Sequence, residues 1–386
     1  MSGGKKGAKD KKKQEKVSKS NSKGSAEQHE PSGDAVKTPA TQQQDQTFEN
    51  ARAGIVGTVG WMTQTETKST GLSGYLKRTP FDRPSEAQSQ AQKTYAFTAN
   101  PDRNRNPNFP LYDKTRVRLK IEQETDNNYI NASYVSCPPC DRKWIVAQHP
   151  MEQFYEDFWK MVFYEEVDVI VALFSPDEGL PMYFPTVKGA YFNHGTFFVH
   201  CWKMAQPTGK NQATSYTIEV LPQGCSNSRF TTILHYPYWP KGQVPCSPKV
   251  ILKAIQALDP GNKVKAKSKC LIHSSDGINR PACFVMIDYM VELMFRNNVV
   301  DIPELITQIR TQRGGAFDNR IYLLYALYVV IDYVKIRLTK YQSAPEVLKE
   351  IQRLQKTMRR DFAGITAKEQ GTGVSGKVPK SDVTVE

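Results

Sequence analysis

The stretch that most constrains this 386-residue chain is Cys270-Leu271-Ile272-His273-Ser274-Ser275-Asp276-Gly277-Ile278-Asn279-Arg280-Pro281, followed by the apolar run from Ala282 to Phe295. A short apolar strand ends at Ile272, a tight turn of small residues follows, and a long helix begins with Arg280 in its first turn. Amides in such a turn point inward and, with the helix N-terminus, form an anion cradle. An arginine fork at the lip can hold an anion at two points.

Composition sets how much chain surrounds that unit. Residues 1–70 are rich in Lys, Ser, Gly, Gln and Thr with few large apolar residues, and 361–386 read the same way, so both are expected to be disordered tails. Residues 71–340 are enough for one substantial core. Residues 341–360 read as a last amphipathic helix, with Val347, Leu348, Ile351, Leu354 and Met358 expected to pack back on the domain. Part of the net charge of +13 lies in residues 1–23, where nine lysines stand against Asp10 and Glu15. Such a run solubilises a chain and can touch an acidic membrane weakly; without interleaved aromatics it is not expected to hold nucleic acid stably. Met1-Ser2-Gly3 lacks a myristoylation pattern, and neither a secretory signal nor a long apolar span appears. The expected location is cytoplasmic, with nuclear access open.

Seven cysteines without dense spacing argue for a reducing compartment. Cys137-Pro138-Pro139-Cys140 has the spacing of a redox pair or of half a zinc site. No second Cys/His pair answers it nearby, and two prolines suit a tight hairpin, which is the expectation. Neither a metal nor a cofactor is expected.

The loop after Ile272 resembles the phosphate-binding loop of the classical protein tyrosine phosphatases, patterned His-Cys-Ser-x-Gly-x-Gly-Arg-Ser/Thr-Gly. His273, Ser275, Gly277 and Arg280 match it, and Ile278 falls at a free position. Ser274 stands where the family has its nucleophilic cysteine, Asp276 at a usual alanine, Asn279 at a glycine, Pro281 at Ser/Thr and Ala282 at a glycine. An active loop of this kind keeps cysteine as a thiolate beside arginine and a helix terminus. A serine hydroxyl stays protonated there, and an inward Asp276 carboxylate repels an anionic ligand.

Other segments carry the resemblance across residues 72–340. Tyr129-Ile130-Asn131-Ala132-Ser133-Tyr134 fits the family's Tyr-Ile-Asn-Ala-Ser/Asn-Tyr, and Asp157-Phe158-Trp159-Lys160-Met161-Val162 its Asp-Phe-Trp-Arg-Met-Val. Tyr183-Phe184-Pro185 resembles Tyr-Trp-Pro, and Ile309-Arg310-Thr311-Gln312-Arg313 resembles Leu-Arg-x-Gln-Arg. The implied fold is α/β: one classical tyrosine-phosphatase-like domain with a central, highly twisted mixed sheet flanked by helices. Within it the patterns predict a helix at Ala87–Phe97, a buried strand at Val167–Phe174 and a helix at Pro281–Arg296, with Trp202 and Phe230 as core aromatics.

The chemical positions depart from the family. In the recognition loop Arg105 matches, but Asn106 occupies the place of the tyrosine that stacks on the substrate ring, a packing worth roughly 0.5 to 1.5 kcal/mol. In the mobile loop Trp239 and Pro240 match while Lys241 replaces the aspartic general acid. A lysine ammonium, with an ordinary pKa of about 10.4, cycles its proton poorly near neutrality. The two water-orienting glutamines are replaced by Asp318 and Tyr322. The resemblance therefore implies a catalytically inactive member acting in intracellular signalling as a protein-binding adaptor or scaffold. As the alternative, Arg280, the turn amides and Lys241 still hold phosphotyrosine or another anion and sequester a tyrosine-phosphorylated partner. Occlusion by Asp276 is the expectation, and residual phosphoester hydrolysis the least favoured reading.

Overall fold

Val167–Ala172 (β4) and Lys269–Ser274 (β9) are buried nearly throughout, as strands covered on both faces are. They lie parallel and adjacent at the centre of the protein, seen here in a computed structural model. It describes residues 39–68, 72, 74, 92–121, 123–209, 212–245, 247–258, 269–340 and 344–370, with 39–48 and 364–370 as backbone only. Among these, nine strands form one mixed sheet in the order β1-β2-β3-β9-β4-β8-β7-β6-β5. The others are Arg116–Arg118 (β1), Tyr129–Val135 (β2), Trp144–Gln148 (β3), Tyr191–His194 (β5), Phe197–Ala205 (β6), Thr214–Pro222 (β7) and Arg229–His235 (β8). β3, β9, β4 and β8 run parallel, and the outer strands pair antiparallel.

Successive strand residues point to opposite faces. Val146, Ile272 and Val171 therefore enter one core, while Ile145, Leu271 and Ile170 enter the other. The first core is filled by helices Lys249–Ala257 (α4), Asn279–Phe295 (α5), Ile302–Gln312 (α6) and Ile321–Lys340 (α7). Helix Tyr155–Tyr164 (α3) covers the second, inserting Phe158, Trp159, Met161 and Val162. The one-turn helix Tyr95–Thr98 (α2) precedes the sheet; of the predicted Ala87–Phe97 helix, 87–91 lie outside the described residues, 92–94 are not helical, and the helix begins at Tyr95.

Three expectations need correction. The segment 1–70 is not a disordered tail throughout, because Pro39–Lys68 forms helix α1 and Ala51, Ile55, Val59 and Met62 are buried in the first core. This stripe stands one apolar residue per turn among Gln, Thr, Glu and Gly, so it is inconspicuous in the sequence, yet the fit is close. A Cβ at Gly54 would lie 2.5 Å from the Met294 carbonyl oxygen. The C-terminal helix likewise exceeds 341–360: Pro345–Gln370 (α8) buries Phe362 along with Ile351, Leu354 and Met358. Residues 1–38 and 371–386 lie outside the described residues. Finally, Trp202 and Phe230 are not core residues; they are 56% and 50% exposed, edge to face on the outer side of the sheet. Period two on strands β6 and β8 sends their neighbours, not them, inward.

Because four central strands are parallel, their C-terminal ends emerge at one edge, where α/β sheets gather their ligand-binding loops. The loops beginning at His149, Leu173, Tyr236 and Ser275 meet there.

Candidate functional site

The loop after β9 makes its turn at Gly277, with φ +70°. A Cβ at that glycine would fall 2.3 Å from the Ala147 carbonyl oxygen, so both conformation and space require glycine. Two loop amides are taken by the loop's own side chains. Gly277 N–H donates to Ser274 Oγ at 3.2 Å, and Ile278 N–H to Asp276 Oδ1 at 3.1 Å. From behind, Arg313 donates from Nε to the Gly277 carbonyl at 3.2 Å and from Nη2 to the Asp276 carbonyl at 3.4 Å. Burial pushes the Arg313 guanidinium down to about 10, against the pull of Tyr129 and Asp276. Asn279 ties the start of α5 to the next loop by accepting from Asn319 N–H at 3.0 Å.

Arg280 is not a fork at the lip; it is 2% exposed. Its two terminal nitrogens donate to the two carboxylate oxygens of Glu178 at 2.6 and 2.7 Å, with further bonds to the Trp239 carbonyl at 2.7 Å and Ser275 Oγ at 3.1 Å. Burial is the largest influence on Glu178 and opposes its charge, but the Arg280 bond and charge, with bonds from Ser175 and Ser275, hold its carboxyl below the usual range. Ser175 also caps the turn that presents Glu178. The guanidinium is thus committed to an internal counter-ion.

Above this floor lies a cavity of about 470 Å³, lined by Arg105, Asn106, Asp177, Lys241, Ser275 and Asp276 among others. Arg105 is turned to the frame, donating to the His149 and Pro150 carbonyls at 2.7 and 2.9 Å. Asn106 Oδ1 accepts from Asn108 N–H at 2.9 Å. Lys241 is exposed at the rim, while Pro240 shares the wall and Trp239 is buried, donating to the Gln243 carbonyl at 2.8 Å. The structure thus gathers Arg105, Asn106, Pro240, Lys241, Ser275 and Asp276 around one cavity. Ser274 lies beneath it, fully buried. Asp318 and Tyr322 stay apart: Asp318 is exposed, and buried Tyr322 packs its ring 6.1 Å from that of Trp239.

Under the loop sits a histidine cluster. His273 is fully buried with Nε2 2.7 Å from the Tyr183 hydroxyl, and its ring lies 5.5 Å from that of His149. His149 Nε2 meets the Pro181 carbonyl at 3.0 Å, and Phe174 packs between this pair and His235. Burial lowers all three imidazoles, His149 to about 4 and His273 well below its ordinary value. Sequence reasoning missed Glu178 and the packing role of His149. Glu178 sits 102 residues from its arginine, and its Ser-Pro-Asp-Glu context reads only as a capped turn.

A mixed sheet whose parallel strands end at a loop-and-helix cradle, faced by a Trp-Pro loop, defines a tyrosine-phosphatase-like domain. The family description "Protein-tyrosine phosphatase" matches residues 100–332, and the chain belongs to that family. It is 29% identical over 229 residues to human receptor-type tyrosine-protein phosphatase epsilon, covering 57% of this chain and 32% of that protein. It is 27% identical over 256 residues to mouse tyrosine-protein phosphatase non-receptor type 2, covering 65% and 62%. Against a Caenorhabditis elegans Lar-like tyrosine-protein phosphatase it is 29% identical over 243 residues, covering 61% and 11%. The chain therefore spans less than two thirds of each of these relatives. A solved structure described as the structural basis of the PTPN18 fingerprint on distinct HER2 tyrosine phosphorylation sites superposes with a TM-score of 0.56 at 23% identity, covering 63% of this chain and 87% of that one. That likeness shows the fold.

Proposed function

We propose that this chain is a catalytically inactive tyrosine phosphatase-like protein, a cytoplasmic adaptor or scaffold in signalling that binds a protein through surfaces other than the degenerate cavity. The observation that carries this reading is Ser274. It replaces the thiol nucleophile, is fully buried, and its Oγ is occupied by Gly277 N–H. Its nearest imidazole in sequence, His273, is turned to Tyr183, which speaks against His273 as the base that a hydroxyl nucleophile needs. Lys241 at the rim replaces the general acid, whose loss alone typically costs about 10²- to 10⁴-fold.

The cavity's charges support occlusion over phosphate reading. Asp177 and Asp276 line it and Glu178 neutralises Arg280. A unit negative charge held ~4 Å from the Asp276 carboxylate meets about 4 kcal/mol of repulsion at an effective dielectric of 20. One observation favours the second reading, a phosphotyrosine-sequestering module: exposed Lys241 shares the cavity with Ser275.

Titration of the full chain with matched phosphotyrosine and unphosphorylated peptides, beside a p-nitrophenyl phosphate assay, tests both. The expected result is no hydrolysis and no preference for phosphate. Phosphate-selective binding abolished by Lys241→Glu would establish the sequestering reading, and measurable turnover lost in Ser274→Ala would overturn inactivity.

A further inference from the structure

The Cys137-Pro138-Pro139-Cys140 segment closes the β2–β3 hairpin, as its two prolines suggest, and the site above does not use it. Cys140 N–H donates to the Cys137 carbonyl at 2.8 Å, which makes these four residues one turn. Such a turn holds its end Cα atoms within about 7 Å, and a disulfide spans roughly 4.4–6.8 Å. The two thiols sit at the ends of this one turn, each the largest influence on the other's proton. Both are free thiols, Cys137 buried and Cys140 partly open to solvent.

The turn is anchored on both sides, so the sulfurs are held near one another. Cys140 Sγ lies 3.9 Å from the Tyr289 carbonyl, and the Tyr289 hydroxyl donates to the Val135 carbonyl at 2.9 Å. Arg296 donates to the Pro139 carbonyl at 3.0 Å and pairs with Asp141, whose own N–H donates to Glu292 at 2.9 Å. Among the described residues no cluster of metal-ligating side chains includes these cysteines, so half a zinc site is not completed there.

We propose that Cys137 and Cys140 are a reversible dithiol–disulfide couple, oxidised by hydroperoxides and reset by cellular thiols. The thiolate of the pair attacks one peroxide oxygen. An S–O bond forms, the O–O bond breaks, and the departing alkoxide, or hydroxide from hydrogen peroxide, takes the thiol's proton to become an alcohol or water. The second sulfur then attacks the sulfenic sulfur, the S–S bond forms, the S–O bond breaks, and water leaves with the remaining thiol proton. Each sulfur gives one electron to the peroxide, and two small-molecule thiols return them by exchange. The neighbouring thiol assists the first step, since Cys140 is the largest cause drawing the Cys137 thiol below its ordinary value. The charge belongs to the pair, and Cys140 gives it a solvent-facing side.

The proposal is independent of the phosphatase reading. Full-length protein is treated with hydrogen peroxide, alkylated and digested with trypsin; the peptide from Ile121 to Arg142 carries no other cysteine. The expected result is an unalkylated peptide lighter by two hydrogens, restored to double alkylation by dithiothreitol. Cys140→Ser, checked for folding by circular dichroism, leaves Cys137 without a resolving partner and is expected to drive it to sulfinic acid instead. A peptide that keeps two alkyl groups after peroxide would overturn the proposal. So would an equal yield of the disulfide in urea-unfolded protein, because the fold would then contribute nothing.

Discussion

Two buried arginines hold the same loop from opposite sides, and they do so by different means. Arg313, behind the loop, is buried with no carboxylate bond among the described residues and binds the carbonyls of residues 276 and 277 with the Ser133 hydroxyl. Arg280, in front, is closed onto Glu178 in a bidentate pair. Backbone dipoles fix the rear because the loop's own fold creates them, whereas the front depends on a side chain from a separate strand's exit. The rear of the loop is thus held through its own backbone carbonyls and its front by one long-range ion pair.

The largest break in that comparison comes from Glu178→Ala. It leaves a buried guanidinium uncompensated, which typically costs about 3–5 kcal/mol, and urea unfolding at neutral pH is expected to show a loss of that order. The pH dependence has a definite sign. The folded carboxyl lies below its ordinary value, so its contribution is complete above the ordinary carboxylate range and vanishes as pH falls through the folded value. Wild type and variant should therefore converge in acid. A loss under about 1 kcal/mol at neutral pH would mean that the Trp239 carbonyl and Ser275 suffice for Arg280.

The same division explains what was legible in the sequence. The sheet, α3 and α5 were readable because contiguous apolar runs and short motifs encode them locally. Arg313 and Gly277 belong to such motifs, and the structure puts both against the loop's backbone. Glu178 was invisible because its meaning lies in a partner far along the chain. Helix α1 was invisible because its buried Ile55, Val59 and Met62 are spaced among polar residues and Gly54 gains its value from close approach, which adds no hydropathy. Trp202 and Phe230 misled for the opposite reason: bulk was read as burial where strand parity places them outside.

Beneath the floor the histidines sharpen the comparison. Buried His149 is neutral in the folded protein, its imidazole lowered to about 4 chiefly by burial. An imidazole whose folded pKa is depressed binds fewer protons than the unfolded chain, so stability falls as pH drops below the ordinary value near 6.5. For His149 alone the loss reaches about 3 kcal/mol at pH 4. His149→Phe keeps an aromatic ring and removes that titration, so its unfolding free energy should change less between pH 7 and pH 4 than that of wild type. An unchanged slope would place the acid sensitivity on His235 and His273.

The smallest effect is expected on the cavity side. Asp276→Ala removes the carboxylate that accepts Ile278 N–H, a bond whose net worth is about 1 kcal/mol. Arg313 still holds the carbonyls behind it, so the loop should keep its shape and the stability loss should stay near that figure. The freed amide and the missing negative charge both favour an anion. Calorimetry with inorganic phosphate is therefore expected to show tighter binding to the variant than to wild type. A variant that loses several kcal/mol would move Asp276 from the cavity wall to the floor. One that keeps its stability but gains no phosphate affinity would shift the proposed occlusion to Asp177 and the Glu178–Arg280 pair, the other acidic features of the cavity side.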